Sequence, residues 1–242
     1  MRLGETKPRS VELVGLPGSG KTTWVRAALE TMGGDAVTTR DQFEVAVSRR
    51  HAELSRGVRW AKVAAFPLIE PTVTMAVARY LASFGGPGRP DRMRHGYRLL
   101  RHLHNHDIFG PPATPLLLDQ GTVQQLWAIA MLSVPRDRAV RRVVCALHGF
   151  LPTWVVWVRV EPALALDRMR RRLSDRGYPD GDFEERADTI DERDFARADL
   201  HLRQIMDALQ RAGVRTLEVG DTAGDEPGAR LQAILAASFA ER

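Results

Sequence analysis

The run Gly15-Leu16-Pro17-Gly18-Ser19-Gly20-Lys21-Thr22 constrains this chain more than any other feature. It fits the spacing G-x-x-x-x-G-K-[ST], and each position has a physical reason. The glycines let the backbone bend until successive N–H groups point inward at an anion. A helix beginning near Lys21 aims the positive end of its dipole at the same point. The Lys21 ammonium suits the β- and γ-phosphates of a nucleotide, and the Thr22 hydroxyl suits Mg²⁺. With Pro17, Ser19 and Thr23, these residues make the candidate nucleotide-binding set. The context agrees with the motif. Ser10 to Val14 is β-rich, and Thr22 to Met32 is helical in composition and stops at Gly33-Gly34. Lys21 is one of only three lysines, with Lys7 and Lys62, in a chain dominated by arginine. An arginine there would be bulkier and less able to act as a point charge.

The rest of the chain alternates strands with helices. A short strand is expected at Ala36 to Thr39, then mostly helix from Asp41 to about Ser83 with a break near Pro67 and Pro71. Gly85 to Pro90 reads as a loop, and Arg92 to Leu103 as a helix. Leu116-Leu117-Leu118-Asp119 is an apolar run closed by an acid, the pattern of a central parallel strand buried on both faces. Helices are expected at Thr122 to Ser133 and Asp137 to His148, and a buried strand at Trp154 to Val160. Pro162 opens a further helix. Leu173 to Asp188 is polar, contains Gly177, Pro179 and Gly181, and reads as a loop. A long helix from Glu192 to Ala212, a strand from Arg215 to Val219 and a helix from Ala229 to Phe239 complete the chain. This order predicts an α/β domain with a parallel sheet covered on both sides. The 242 residues suit one domain, 1–242, and no linker divides them.

Composition excludes several classes. Cys145 is the only cysteine, so no disulfide can form within the chain, and a cytoplasmic location is expected. Met1 to Ser10 lacks the apolar stretch of a secretory signal, and the apolar runs are too short to span a bilayer. The net charge of +5 suits phosphate-bearing ligands or nucleic acid. The basic run Arg136, Arg138, Arg141 and Arg142 has no aromatic residues interleaved for base stacking, so nucleic acid is not the expected partner.

Other candidate residues follow from position. Asp119 ends the most apolar strand, at the sheet edge where ligands collect, and fits a Mg²⁺ role. The competing reading is an N-cap for the helix after it. Asp41 follows strand 2 at the same edge. It is either a general base for an acceptor hydroxyl or a cap for its own helix. Arg40 fits an acceptor phosphate or transition-state charge. Arg168 and Arg172 lie four apart on one helix, and Arg176 follows in the expected loop. They can neutralise a transferring phosphoryl group, or they are a solvated basic face. His102, His104 and His106 alternate and would share a face on a strand, but the segment reads as a helix end and a polar turn.

Several segments together resemble the thymidylate kinase and deoxynucleoside kinase group. They are Gly15–Thr23, Thr38-Thr39-Arg40-Asp41, Leu117-Leu118-Asp119-Gln120, and Val160-Glu161-Pro162 through Arg168 to Asp182-Phe183-Glu184. The resemblance implies a P-loop NTPase fold: a three-layer α/β/α sandwich with a five-stranded parallel sheet and the P-loop strand at its centre. It implies a helical acceptor-binding insertion at about 41–112 and a LID at about 172–190. It also implies ATP and Mg²⁺, a small-molecule phosphoryl acceptor, and compatibility with a homodimer. Asp41 matches the carboxylate that contacts the acceptor or acts as base. Asp119 matches the acid of the strand-3 motif, and Arg168, Arg172 and Arg176 match the LID region. The group usually has arginine after the strand-3 acid. This chain has Gln120, a neutral amide on the acceptor side without a phosphate-gripping fork. A nucleoside, sugar, antibiotic or similar metabolite therefore fits the acceptor as well as a nucleoside monophosphate. The alternatives are an NTPase switch acting on a protein partner and a polynucleotide-end kinase.

Overall fold

The computed structural model describes residues 10–32, 37–53, 66–84, 89–109, 116–130, 137–176, 190–220 and 227–240. The described residues form five strands: β1 (Ser10–Val14), β2 (Thr38–Thr39), β3 (Leu116–Leu118), β4 (Trp154–Val158) and β5 (Arg215–Val219). They form one sheet in the order β2-β3-β1-β4-β5, and every pair is parallel. β1 is thus central, as the resemblance implies. Parallel strands end at one edge, so the segments after β1, β2 and β3 emerge together.

Strand periodicity splits the buried residues between two faces. Val11 and Leu13 join Leu117, Val156 and Val158 against Trp24 and Ala28 of α1 (Lys21–Met32) and Leu231 and Leu235 of α9 (Pro227–Ala240). Val14, Val155 and Trp157 face the other way, into the larger core. That side is covered by α3 (Pro71–Ala82), α4 (Arg89–Phe109), α5 (Thr122–Ala130), α6 (Asp137–Ala146), α7 (Pro162–Arg176) and α8 (Glu192–Arg211). α2 (Arg40–Glu53) lies over β3, with Phe43 and Val47 on Leu116 and Leu118. The Tyr80 hydroxyl of α3 lies 3.0 Å from His201 Nε2 of α8 and donates to the Leu126 carbonyl of α5 at 3.3 Å. No described helix is long and apolar enough to cross a membrane.

Several expected boundaries move. Arg89 and Pro90 are helical and begin α4, because proline is tolerated in a helix's first turn. α4 also runs to Phe109, past the expected end at Leu103. His102 and His104 therefore sit on a helix and, two residues apart, turn to different sides and not to one face as they would on a strand. His104 is buried, with its ring edge-on to Phe66 at 5.5 Å. Leu173 to Arg176 continue α7 and are not part of a loop. Leu166, Met169 and Leu173 share its inward face, and that packing carries the helix through the arginines. β2 is only Thr38–Thr39; Ala36 lies outside the described residues, as do Gly85–Gly88 and 177–189 of the expected loops.

Candidate active site

The glycine run leaves the carboxyl end of β1 and turns into α1. Gly18 and Gly20 have φ of 82° and 93°, a region where a side chain is strained. At Gly18 a second constraint acts, because an added Cβ would lie 2.3 Å from the Ala165 carbonyl oxygen. α7 therefore meets the loop backbone to backbone. At Gly15 a Cβ would lie 2.5 Å from the Val158 carbonyl of β4. The Ser19 N–H donates to the Leu16 carbonyl at 3.1 Å, closing the loop's own turn. Thr22 and Thr23, in the first turn of α1, are exposed.

Lys21 turns back over this loop. Its Nζ donates to the Gly15 carbonyl at 2.7 Å and the Leu16 carbonyl at 2.9 Å. Burial lowers its pKa to about 8, Asp119 acts to raise it, and Arg172 to lower it further. The fold thus brings a half-buried carboxylate from the end of β3 and an arginine from α7 within electrostatic reach of the loop lysine.

The ends of β2 and β3 meet beside the loop. Thr39 and Gln42 make a reciprocal cap on α2. The Thr39 N–H donates to Gln42 Oε1 at 2.8 Å, and the Gln42 N–H to Thr39 Oγ1 at 3.4 Å. Asp41 is in the first turn, exposed, and is not the cap. Arg40 donates from Nη1 to Gln120 Oε1 at 2.8 Å and from Nε to Glu44 Oε1 at 2.8 Å. Gln120 thus binds a guanidinium from the neighbouring strand end, and Glu44 sits against that cation.

Two participants carry no motif. Glu12, in the middle of β1, is fully buried. Its Oε1 accepts the N–H groups of Gly121 at 3.0 Å and Gln124 at 2.7 Å, and its Oε2 that of Val123 at 3.0 Å. It therefore caps α5 from another strand, and neither Asp119 nor Thr122 is needed for that. Burial raises its pKa to about 7, although the three amides and their dipole favour the anion. The second is Gln124, whose Oε1 accepts the Gly15 N–H at 3.3 Å. One signal was available in the sequence: the resemblance puts this strand at the centre of the sheet, and an acid inside a central strand must have partners.

The arginines of α7 separate into groups. Arg170 donates to the Ile190 carbonyl at 3.0 Å, and Arg171 pairs with Asp167 at 3.0 Å. Both are tied to structure near their own helix. Arg172 is exposed and within electrostatic reach of Lys21, and Arg168 is half-buried one turn earlier. Arg176 is in the last turn of α7, not in a loop, and its side chain lies outside the described residues.

These residues fit a triphosphate and Mg²⁺ chemically. Backbone amides in a left-handed turn and one ammonium suit phosphate oxygens. A hydroxyl and a carboxylate, Thr22 and Asp119, are the hard oxygen donors that Mg²⁺ takes when phosphates fill its other positions. Among the described residues no group of three or more His, Cys, Asp or Glu is placed to hold a metal by itself.

No protein-family model matches the chain, and no curated protein sequence matches it. Solved structures do resemble it. Deoxyadenosine kinase from M. mycoides with bound dCTP aligns over 94% of this chain and 99% of its own, at 12% identity and a TM-score of 0.50. The same enzyme with products dCMP and dCDP aligns over 94% and 97%, at 12% identity and a TM-score of 0.46. The sheet order, the loop after its central strand and the first of these likenesses agree: the chain has a P-loop α/β fold like that of this deoxyadenosine kinase.

Proposed function

We propose that this chain is an ATP- and Mg²⁺-dependent kinase that phosphorylates a hydroxyl of a nucleoside, nucleoside monophosphate or similar small metabolite. One observation carries the reading: the glycine loop with Lys21 stands at the carboxyl end of the central strand, and Asp119 and Arg172 act on that lysine. A nucleotide-binding loop with a carboxylate and an arginine converging on it is what phosphoryl transfer needs.

In this reading the loop amides and Lys21 hold the phosphates, and Thr22 and Asp119 hold Mg²⁺. Bound Mg²⁺ offsets charge on the β- and γ-oxygens. Asp41 takes the proton of the acceptor hydroxyl as that oxygen bonds to the γ-phosphorus and ADP departs. Arg172, with Arg168 and Arg176 on the same helix, offsets charge on the transferring group. The whole of 1–242 acts as one domain. Its acceptor pocket is built from about 41–112, and a LID at about 172–190 excludes water.

Arg40 and Gln120 bear on the acceptor. Glu44 lies against the Arg40 guanidinium, and Gln120 occupies another of its donors. A cation already balanced by a carboxylate is a weaker phosphate anchor than a free one. That favours a neutral, hydroxylated acceptor such as a nucleoside over a monophosphate.

The test is ADP release measured over nucleosides, nucleoside monophosphates, sugars and aminoglycosides, with and without Mg²⁺ and with an acceptor-free control. Release that needs both Mg²⁺ and one acceptor class is the expected result. Equal release without any acceptor would point to an NTPase switch. Turnover only on oligonucleotides, with salt-sensitive binding, would point to a polynucleotide-end kinase.

A further inference from the structure

Helix α5 is held at its start by a residue that is not on it. Caps normally come from the residues just before a helix. Here the capping carboxylate is Glu12, on the strand that leads into the phosphate loop. The contact is returned three residues later along that strand. Gln124, in the first turn of α5, accepts the N–H of Gly15, the first residue of the loop. Both side chains are buried, at 0% and 9% exposure. Gly121 completes the fit, since a Cβ there would lie 2.6 Å from Glu12 Oε2.

The placement matters because of where the sheet pairing stops. The β1–β3 ladder runs from Ser10 opposite Leu116 to Glu12 opposite Leu118. The chemistry of both strands lies beyond it, at Gly15 to Thr22 on one and at Asp119 and Gln120 on the other. The Glu12 and Gln124 contacts begin where the ladder ends and bridge these two stretches. A cap serving α5 alone would not require Gln124 to reach Gly15.

We propose that Glu12 and Gln124 are positioning residues that carry the register of β1 and β3 past the end of their ladder, holding the phosphate loop at a fixed offset from Asp119. The inference rests on the nucleotide-binding reading of that loop. Neither residue touches substrate. Glu12 acts through the α5 amides, and Gln124 through the Gly15 N–H.

The experiment compares the full chain as wild type, Gln124→Met, Glu12→Gln and Trp127→Phe. MgATP affinity is read by calorimetry, and stability by thermal melting. Gln124→Met keeps the volume and removes the acceptor. Glu12→Gln keeps the shape but turns an amide NH₂ toward an α5 N–H. Trp127→Phe loosens the same helix elsewhere, where the indole N–H donates to the Ala198 carbonyl at 2.9 Å. Gln124→Met and Glu12→Gln should each weaken MgATP binding roughly tenfold, the effect of orphaning a buried donor or acceptor. They should also lower kcat, while Trp127→Phe melts earlier but binds MgATP as wild type does. MgATP affinity and kcat unchanged in Gln124→Met would overturn the inference, and that variant decides alone if Glu12→Gln does not fold. A wild-type chain that takes up no MgATP would sink the nucleotide reading itself, and the inference with it.

Discussion

The two sides of the candidate site are built differently. On the proposed nucleotide side the groups are backbone amides in one continuous segment. They are shaped by left-handed glycines at 18 and 20 and meet two buried neighbours, the Gln124 side chain and the Ala165 carbonyl. On the proposed acceptor side the groups are side chains from two strand ends, Arg40, Asp41 and Gln120. They are exposed or half-exposed, and Arg40 and Gln120 are joined by a hydrogen bond that water can replace. Buried backbone geometry is costly to change, whereas an exposed polar pair contributes about 1 kcal/mol or less. The difference teaches that such a fold can keep its phosphate cradle while its acceptor surface is free to be rewritten.

The sharpest way to break this contrast is Lys21→Ala. We predict that acceptor phosphorylation falls about 10³-fold or more, by loss of charge stabilisation at the transferring group. The melting temperature should move by no more than about 4 °C, since a ~1 kcal/mol change shifts a domain this size by that much at most. Near-normal turnover in this variant would remove the cradle from the mechanism.

Next in size is Asp41→Asn. Its α2 cap is supplied by Thr39 and Gln42, so the substitution should leave stability alone. Turnover should drop about 10²-fold, the lower range for a general base, with MgATP affinity intact. Unchanged turnover would reduce Asp41 to an acid favoured by the helix dipole.

Gly18→Ala and Gly20→Ala test the bracing itself. Both force a side chain into a left-handed conformation, at roughly 1–2 kcal/mol. Only Gly18 also meets a backbone oxygen; a Cβ on Gly20 has open space. Gly18→Ala should therefore cost more, about 4–8 °C in melting temperature, and weaken MgATP binding more. Equal losses would mean that α7 does not press on the loop.

The smallest effect belongs to Gln120→Ala, which frees one donor of Arg40. The acceptor KM should change about two- to fivefold with MgATP affinity unaltered, as expected for an exposed hydrogen bond. A change larger than that of Asp41→Asn would invert the proposed ranking of the acceptor side.

The same contrast explains what could be read from the residues alone. The glycine run was legible because its chemistry is local: the residues that bend the chain also present the amides. β5 at Arg215–Val219 and the long helix after Asp191 were equally clear, since their period and their flanking Gly213 and Asp191 are contiguous. The extension of α4 through His102 and His104 was not legible. Histidine is a modest helix former, and burial of Leu99 and Leu103 in the large core carries the segment. For Leu173 to Arg176 the charged run looked like a loop. Leu173 packed on that core kept the helix going. Glu12 and Gln124 were not legible because their partners are more than a hundred positions away, and only the sheet order β3-β1 brings them together.

One detail has a thermodynamic echo. With its ammonium already bonded to the carbonyls of Gly15 and Leu16, Lys21 on the proposed reading would meet an incoming nucleotide by swapping partners, so the heat gained there would be a difference between two sets of bonds. Because its pKa sits at about 8, part of the population lacks the proton in mildly alkaline solution, and a polyanion draws it back from the medium. Capture on that reading should consume protons from the buffer, weaken as alkalinity increases, and give a calorimetric signal that changes with the buffer's own ionisation enthalpy.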